Sequence, residues 1–238
     1  MIKLKQLTAA VAMSAAFATS AMAEQMTAVS FGGAYGAAQQ KHMIDPFTKK
    51  TGHKILFENY SGGIAEIKAQ VESGNILWDV VDIEVIDLER ACSEGLLEIF
   101  PQDTLPAGDD GVAAADDFSE AALANECGVG NIVWTILFAY SNDTIKGGKP
   151  SKIADLFDTK TFPGKRALRK RPQVNMEWAL LADGVAPADL YEVLSSDEGQ
   201  KRAFDKLSSI KNDIVWFDSW SQAPQLLNEG GAVMVQTA

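Results

Sequence analysis

Apolar residues along this chain fall into two alternating patterns. Residues 26–31, MTAVSF, form a short run of strand type, followed by the turn Gly32-Gly33-Ala34-Tyr35-Gly36. A helix through Lys41 and Met43 follows. Pro46 kinks or restarts it, Asp45 is a plausible N-cap, and Gly52 ends it. The same move then repeats. KILFENY (54–60) reads as a strand and SGG (61–63) as a turn. Residues 64–75 carry Ile64, Ile67 and Val71 at helical spacing until Gly74. ILWDVVDIE (76–84) contains Val80-Val81-Asp82-Ile83, the near-continuous apolar run expected of a strand covered on both faces. Strand, helix, strand within about thirty residues is a βαβ unit, which implies a parallel sheet. Ligands of such sheets sit beyond the carboxyl ends of the strands, here Tyr60-Ser61-Gly62-Gly63 and Asp82-Ile83-Glu84. Glycine ahead of a helix can also leave backbone N–H groups free for an anion or a polar group, although Gly62-Gly63 taken alone reads first as a plain tight turn.

A helix is expected from about Asp87 to Glu94, with Leu88, Ala91 and Cys92 inward and Gly95 as its stop. Residues 102–117 read as a loop, and their aspartates as solvated surface. Residues 129–140 form a long apolar, strand-like stretch that suggests a crossing between two domains. Beyond it, Ser151 caps a helix ending at Phe157, and residues 166–168 form a strand. Residues 175–182 form a helix closed by Gly184, and Pro187 opens another. A helix from Asp197 turns Phe204 and Leu207 inward. Residues 214–217 form a strand, 223–228 a helix and 232–235 a last strand. A domain closing on a strand without a covering helix suggests a fragment of a longer protein.

The formal net charge of −11 disfavours a nucleic-acid partner. Lys3 and Lys5, the uncharged Ala- and Met-rich stretch 7–22, and Ala21-Met22-Ala23 before Glu24 form a bacterial secretory signal peptide, residues 1–23. No cysteine follows the cleavage site, so no lipid anchor is expected there. Export to an oxidising compartment makes a Cys92–Cys127 disulfide the expected state, worth about 2–4 kcal/mol for a loop of roughly 35 residues. Two buried free thiols are the alternative. His42 and His53 are the only histidines and have no ligand cluster around them, so no metal site is expected, and no other cofactor is implied.

The sequence carries no GxSxG, HExxH, P-loop or CxxC motif, and nothing singles out a pair of carboxylates for acid–base work. A binding protein is therefore expected rather than an enzyme, with a secreted enzyme of unrecognised site as the competing class.

DPFTKKTG (45–52), WDVVDIE (78–84), ERACSEGLLE (89–98), ECGVGNIVW (126–134), FPGKRAL (162–168) and EWALLADGV (177–185) together resemble the periplasmic solute-binding proteins of ABC importers, in the spermidine/putrescine-binding branch. The resemblance implies an α/β, two-lobed periplasmic-binding-protein fold of type II. Residues 24–134 would form the first lobe and 135–238 the second, incomplete and lacking its return crossing. It also implies a monomer in the periplasm that closes on a small ligand and docks on the membrane permease.

Within that frame Tyr35 is the aromatic position after the first strand, and Tyr60 and Ser61 end the second. Glu84 matches a polar ligand position suited to an amine, and Trp220 could close from the second lobe. The alternative for Glu84 is that it merely caps the helix near Asp87. Arg169-Lys170-Arg171 departs from the polyamine pattern. Either these side chains face solvent, or the ligand also bears a carboxylate, as an amino acid or γ-aminobutyrate does. Putrescine or spermidine is the first expectation and a γ-aminobutyrate-like ligand the second.

Overall fold

In the computed structural model, residues 25–238 are described, so the segment 1–23 expected to be a signal peptide lies outside the described residues. Strand β1 (Gln25–Ser30) leads through Gly32 into helix α1 (Gly33–Gln39), a π-helical turn (Gln40–Ile44) and helix α2 (Asp45–Thr51). Backbone at Asp45 is helical, so the chain runs through it without a break. Asp45 is thus not an N-cap, and it accepts a hydrogen bond from Gln40 Nε2 instead. Pro46 sits where the π-helical turn passes into α2, so it neither ends nor restarts the helix.

Strand β2 (Lys54–Asn59), helix α3 (Ala65–Ser73), strand β3 (Val80–Val81) and helix α4 (Val85–Ser93) follow. The sheet order is β2-β1-β3, all parallel, with β1 in the middle. The predicted strand over 80–83 is thus only two residues long, and it is not covered on both faces: Val80 is 60% exposed. As an edge strand, β3 has one neighbour, β1, and its last bond to it is the one from Asp82 N–H. Helix α4 begins two residues earlier than expected and buries Ala91 and Asp87. Cys92, near its end, is bonded to Cys127, with Cα atoms 5.8 Å apart.

A short helix, α5 (Ala114–Asp117), interrupts the acidic loop. Of the apolar stretch 129–140 only β4 (Leu137–Tyr140) is a strand, and Val133 is 94% exposed. Helix α6 (Ile153–Phe157) has Lys152, not Ser151, at its N-cap position, because the Asp155 carboxylate reaches back to both their N–H groups. Strand β5 (Arg166–Arg169), helix α7 (Asn175–Ala182), helix α8 (Leu190–Leu194) and helix α9 (Asp197–Ser208) come next. They are followed by β6 (Ile214–Phe217), α10 (Gln222–Asn228) and β7 (Met234–Thr237).

The second sheet runs β4-β7-β5-β6, with β4 antiparallel to β7 and the other pairs parallel. Its main core packs Leu168, Trp178, Leu180, Leu207 and Met234. Phe204 is 57% exposed, against the expectation, because α9 buries the stripe Gly199, Ala203 and Leu207 and Phe204 lies about 100° off it. Among the described residues no helix is long and apolar enough to cross a membrane.

Candidate functional site

The carboxyl ends of β1, β2 and β3 converge. Tyr60 N–H donates to Ser30 O (2.9 Å), and Asp82 N–H donates to Val29 O (2.8 Å). The Tyr60 side chain is buried, its ring 5.4 Å from both Phe31 and Trp78, and its hydroxyl donates to the Asp82 carbonyl (2.6 Å). Tyr60 therefore locks the strand ends together. Burial, and then the negative charges of Asp82, Asp87 and Glu84, push its hydroxyl well above the usual tyrosine range.

The Asp82 side chain is a hub. Its Oδ2 accepts from Ser30 Oγ (2.8 Å), Tyr35 OH (2.8 Å) and Gln39 Nε2 (2.9 Å), and its Oδ1 accepts from Asn131 Nδ2 (3.3 Å). Burial and the bond to Asp82 hold the Tyr35 hydroxyl protonated far above its usual range. Sequence reasoning missed Asp82 and Asn131. The signal for Asp82 was a lone carboxylate inside the apolar run VVDIE at a parallel strand end; for Asn131 there was none.

From the second sheet, Arg169 ends β5 and points across to the first. Its Nη1 pairs with Glu84 Oε1 at 2.6 Å, its Nη2 donates to Ser61 O at 2.7 Å, and its Nε donates to Asp218 O at 3.3 Å. The guanidinium carbon lies 4.5 Å from the ring centre of Trp220, which meets Trp134 edge-on at 5.8 Å. Burial pulls the Arg169 pKa down from its ordinary value, opposed by the Glu84 hydrogen bond and charge. Arg171 makes a parallel contact, Nη1 to Asp87 Oδ2 at 3.3 Å and Nη2 to Ser61 O at 3.2 Å.

A local fold aims both arginines the same way. Arg171 N–H donates to Arg169 O (2.8 Å), which makes a three-residue turn about Lys170 and leaves Lys170 exposed. Asn175 Nδ2 then donates to the carbonyls of both Arg169 and Arg171, at 2.7 Å each. Val174 beside it has φ of 68°, a sparsely populated conformation for a β-branched residue.

These contacts decide two readings left open by the sequence. Glu84 does occupy the N-cap position of α4, yet it makes no cap hydrogen bond; its carboxylate goes to Arg169. Arg169 and Arg171 face the first sheet and only Lys170 faces solvent. Gly62 and Gly63, with φ of 80° and 86°, make room for them. A Cβ at Gly62 would sit 3.0 Å from Arg169 Nη2, and one at Gly63 would sit 2.7 Å from Arg171 Nη2. The Gly-Gly turn thus receives two cations, not an anion.

A cavity of about 1480 Å³ opens between the sheets, lined among others by Gly33, Tyr35, Asp82, Glu84, Trp134 and Trp220. Neither Tyr60, Ser61 nor Arg169 lines it: Tyr60 and Ser61 stand behind the strand ends, and Arg169 is covered by Glu84 and Trp220. Among the described residues no group of three or more His, Cys, Asp or Glu side chains could hold a metal ion.

Residues 42–238 match the family model described as bacterial extracellular solute-binding protein. The γ-aminobutyric acid-binding protein of Pseudomonas aeruginosa is 40% identical over 219 residues, which are 92% of this chain and 60% of that protein. Among solved structures, the periplasmic binding protein MotA of A. tumefaciens B6 in complex with glucopine is 32% identical with a TM-score of 0.75, covering 90% of this chain and 63% of that one. A GABA receptor structure is 31% identical with a TM-score of 0.66, covering 90% and 62%. The chain belongs to the bacterial extracellular solute-binding protein family and has its α/β periplasmic-binding-protein fold. It spans about 60% of the length of these relatives.

Proposed function

We propose that this chain is the ligand-capturing component of an ABC importer, that it acts in the periplasm, and that it takes a small molecule with one ammonium and one carboxylate group, of the γ-aminobutyrate kind. The observation that carries the ligand class is the buried Arg169–Glu84 pair where the two sheets meet. Arg169 offsets Glu84 and Arg171 offsets Asp87, so of these three neighbouring acids Asp82 is the one without a cationic partner; Asp79, Glu89, Glu98 and Asp117 line the cavity further out, also without an ion pair among the described residues. A ligand with one ammonium group for Asp82 and one carboxylate for the arginine side fits this arrangement, whereas a diamine or triamine has nothing to offer Arg169 and Arg171.

The names of the similar proteins support the same class, since two of them are γ-aminobutyrate binders. This reading replaces the polyamine preference drawn from the sequence motifs. In it, Asp82 and the cavity side of Glu84 receive the ammonium end, Trp134 and Trp220 flank the methylene chain, and Arg169 answers the carboxylate. Family membership supports delivery of the ligand to permease subunits in the membrane.

Calorimetric titration of the purified chain with γ-aminobutyrate, putrescine and spermidine tests the ligand class. Heat of binding with γ-aminobutyrate alone is expected. Saturable binding of either polyamine without γ-aminobutyrate would overturn it.

A further inference from the structure

We propose that Glu84 is an internal counter-ion that gates Arg169 and thereby makes the site select zwitterions over simple carboxylates and simple amines. This rests on the amine–carboxylate reading of the ligand and adds the device that enforces it.

The geometry is that of an occupied subsite. Arg169 is the cation suited to a carboxylate, but its side chain is 5% exposed and does not line the cavity. Three of its donor positions are committed, to Glu84, Ser61 O and Asp218 O, and Trp220 covers one face of the guanidinium. Glu84 does line the cavity and holds Arg169 through Oε1 at 2.6 Å. A carboxylate arriving from the cavity therefore reaches Arg169 only where Glu84 lets go.

The consequence differs by ligand class. A plain carboxylate that displaces Glu84 exchanges one anion for another and strands Glu84, near Asp82, without a cation. A plain amine that takes Glu84 strands Arg169 in a buried site. An unpaired buried charge is strongly unfavourable in either case. A zwitterion supplies a carboxylate to Arg169 and an ammonium to Glu84, so one buried pair becomes two. The neighbouring Arg171–Asp87 bridge and the shared Ser61 carbonyl keep the arginine turn against the first sheet during this exchange, and neither Arg171 nor Asp87 lines the cavity.

The test compares the unmodified chain with Glu84→Gln, using γ-aminobutyrate, butyrate and butylamine as probes in calorimetry. Glu84→Gln keeps the shape of the side chain, and its circular dichroism is checked against the unmodified chain. Butyrate affinity is expected to rise at least tenfold in Glu84→Gln, while the preference for γ-aminobutyrate over butyrate shrinks. Arg169→Gln is the mirror variant and is expected to raise butylamine relative to γ-aminobutyrate. Asp87→Asn, outside the cavity, is expected to shift all three probes alike.

An unchanged butyrate to γ-aminobutyrate ratio in Glu84→Gln overturns the gate even where γ-aminobutyrate binds the unmodified chain, which leaves the ligand reading standing. A butyrate gain in Glu84→Gln with no γ-aminobutyrate binding to either protein supports the gate and sinks the ligand reading. No binding of any probe to either protein overturns both.

Discussion

Arg169 and Glu84 lie 85 residues apart in sequence and meet at 2.6 Å, Arg169 at the end of β5 in one sheet and Glu84 at the N-cap position of α4, three residues past β3 of the other. Both side chains are about nine-tenths or more buried, so each charge depends on the other for compensation in a way that a surface bridge does not. Removing one partner leaves the other charged and buried. Arg169→Met is expected to destabilise the chain by about 3–5 kcal/mol, read from urea unfolding midpoints. Arg169→Lys recovers little of this, because an ammonium group cannot serve Glu84, Ser61 O and Asp218 O in the planar arrangement that Arg169 uses. Equal stability of Arg169→Met and the unmodified chain would show that the bridge does not hold the sheets.

Asp82 organises the first strand ends through one carboxylate. Asp82→Ala leaves the donors of Ser30, Tyr35 and Gln39 without their acceptor, Ser30 being fully buried. A loss of about 1–3 kcal/mol in thermal or chemical unfolding is expected, and with it the weakening of any amine ligand. Asp82→Asn keeps part of the geometry and should fall between the two. Full stability of Asp82→Ala would contradict the hub.

Alkaline pH probes the same place. Tyr35 and Tyr60 have their folded pKa raised above the ordinary 10.0, by burial first and nearby acids next. A raised folded pKa means the folded state holds its proton more tightly. The stabilisation is therefore complete below about pH 10 and is lost as the pH climbs above it. Tyrosinate absorbance should show Tyr35 and Tyr60 un-ionised past pH 10 in the folded chain, and ionising together with unfolding. Ordinary titration of all four tyrosines near pH 10 in folded protein would rule this out.

The arginine turn depends on Asn175 and on Gly63. Asn175→Ala removes both 2.7 Å bonds to the carbonyls of Arg169 and Arg171. It should lower affinity for a carboxylate-bearing ligand more than for an amine alone, because it misdirects Arg169 and leaves Asp82 in place. Gly63→Ala puts a Cβ 2.7 Å from Arg171 Nη2 at a φ of 86°. It should cost about 1–3 kcal/mol of stability. A drop in amine and carboxylate binding by the same factor in Asn175→Ala would mean that Asn175 supports the fold without aiming the arginines.

Much of this architecture could be read from residue pattern. The β1 and β2 runs, the helix from Asn175 and the strands at Arg166 and Ile214 stand where the apolar pattern put them; β5 and the helix from Asn175 do so by burying nearly all their residues, while β2 is held by its ladder to β1 with its side chains partly or largely exposed. The pattern overreached at Val80–Ile83 and at residues 129–136, where apolar residues line a cavity or lie exposed instead of packing between neighbours. Tyr35, Glu84 and Trp220 could be singled out because strand ends in parallel sheets face the ligand side. That Glu84 would be held by Arg169, and that Asn131 would reach Asp82, depends on contacts between residues far apart in sequence, which local pattern does not encode. The Gly62-Gly63 turn was legible as a turn, but its reason, two arginines arriving from the other sheet, was not.

A crystal structure of the chain soaked or grown with γ-aminobutyrate tests the central claim most directly. The account predicts ligand in the cavity between the sheets, its carboxylate within hydrogen-bond distance of Arg169 and its ammonium group on Glu84 or Asp82, with the 2.6 Å Arg169–Glu84 contact opened. Ligand bound elsewhere, or bound in the cavity with Arg169 and Glu84 still paired and no contact to the carboxylate, would contradict it.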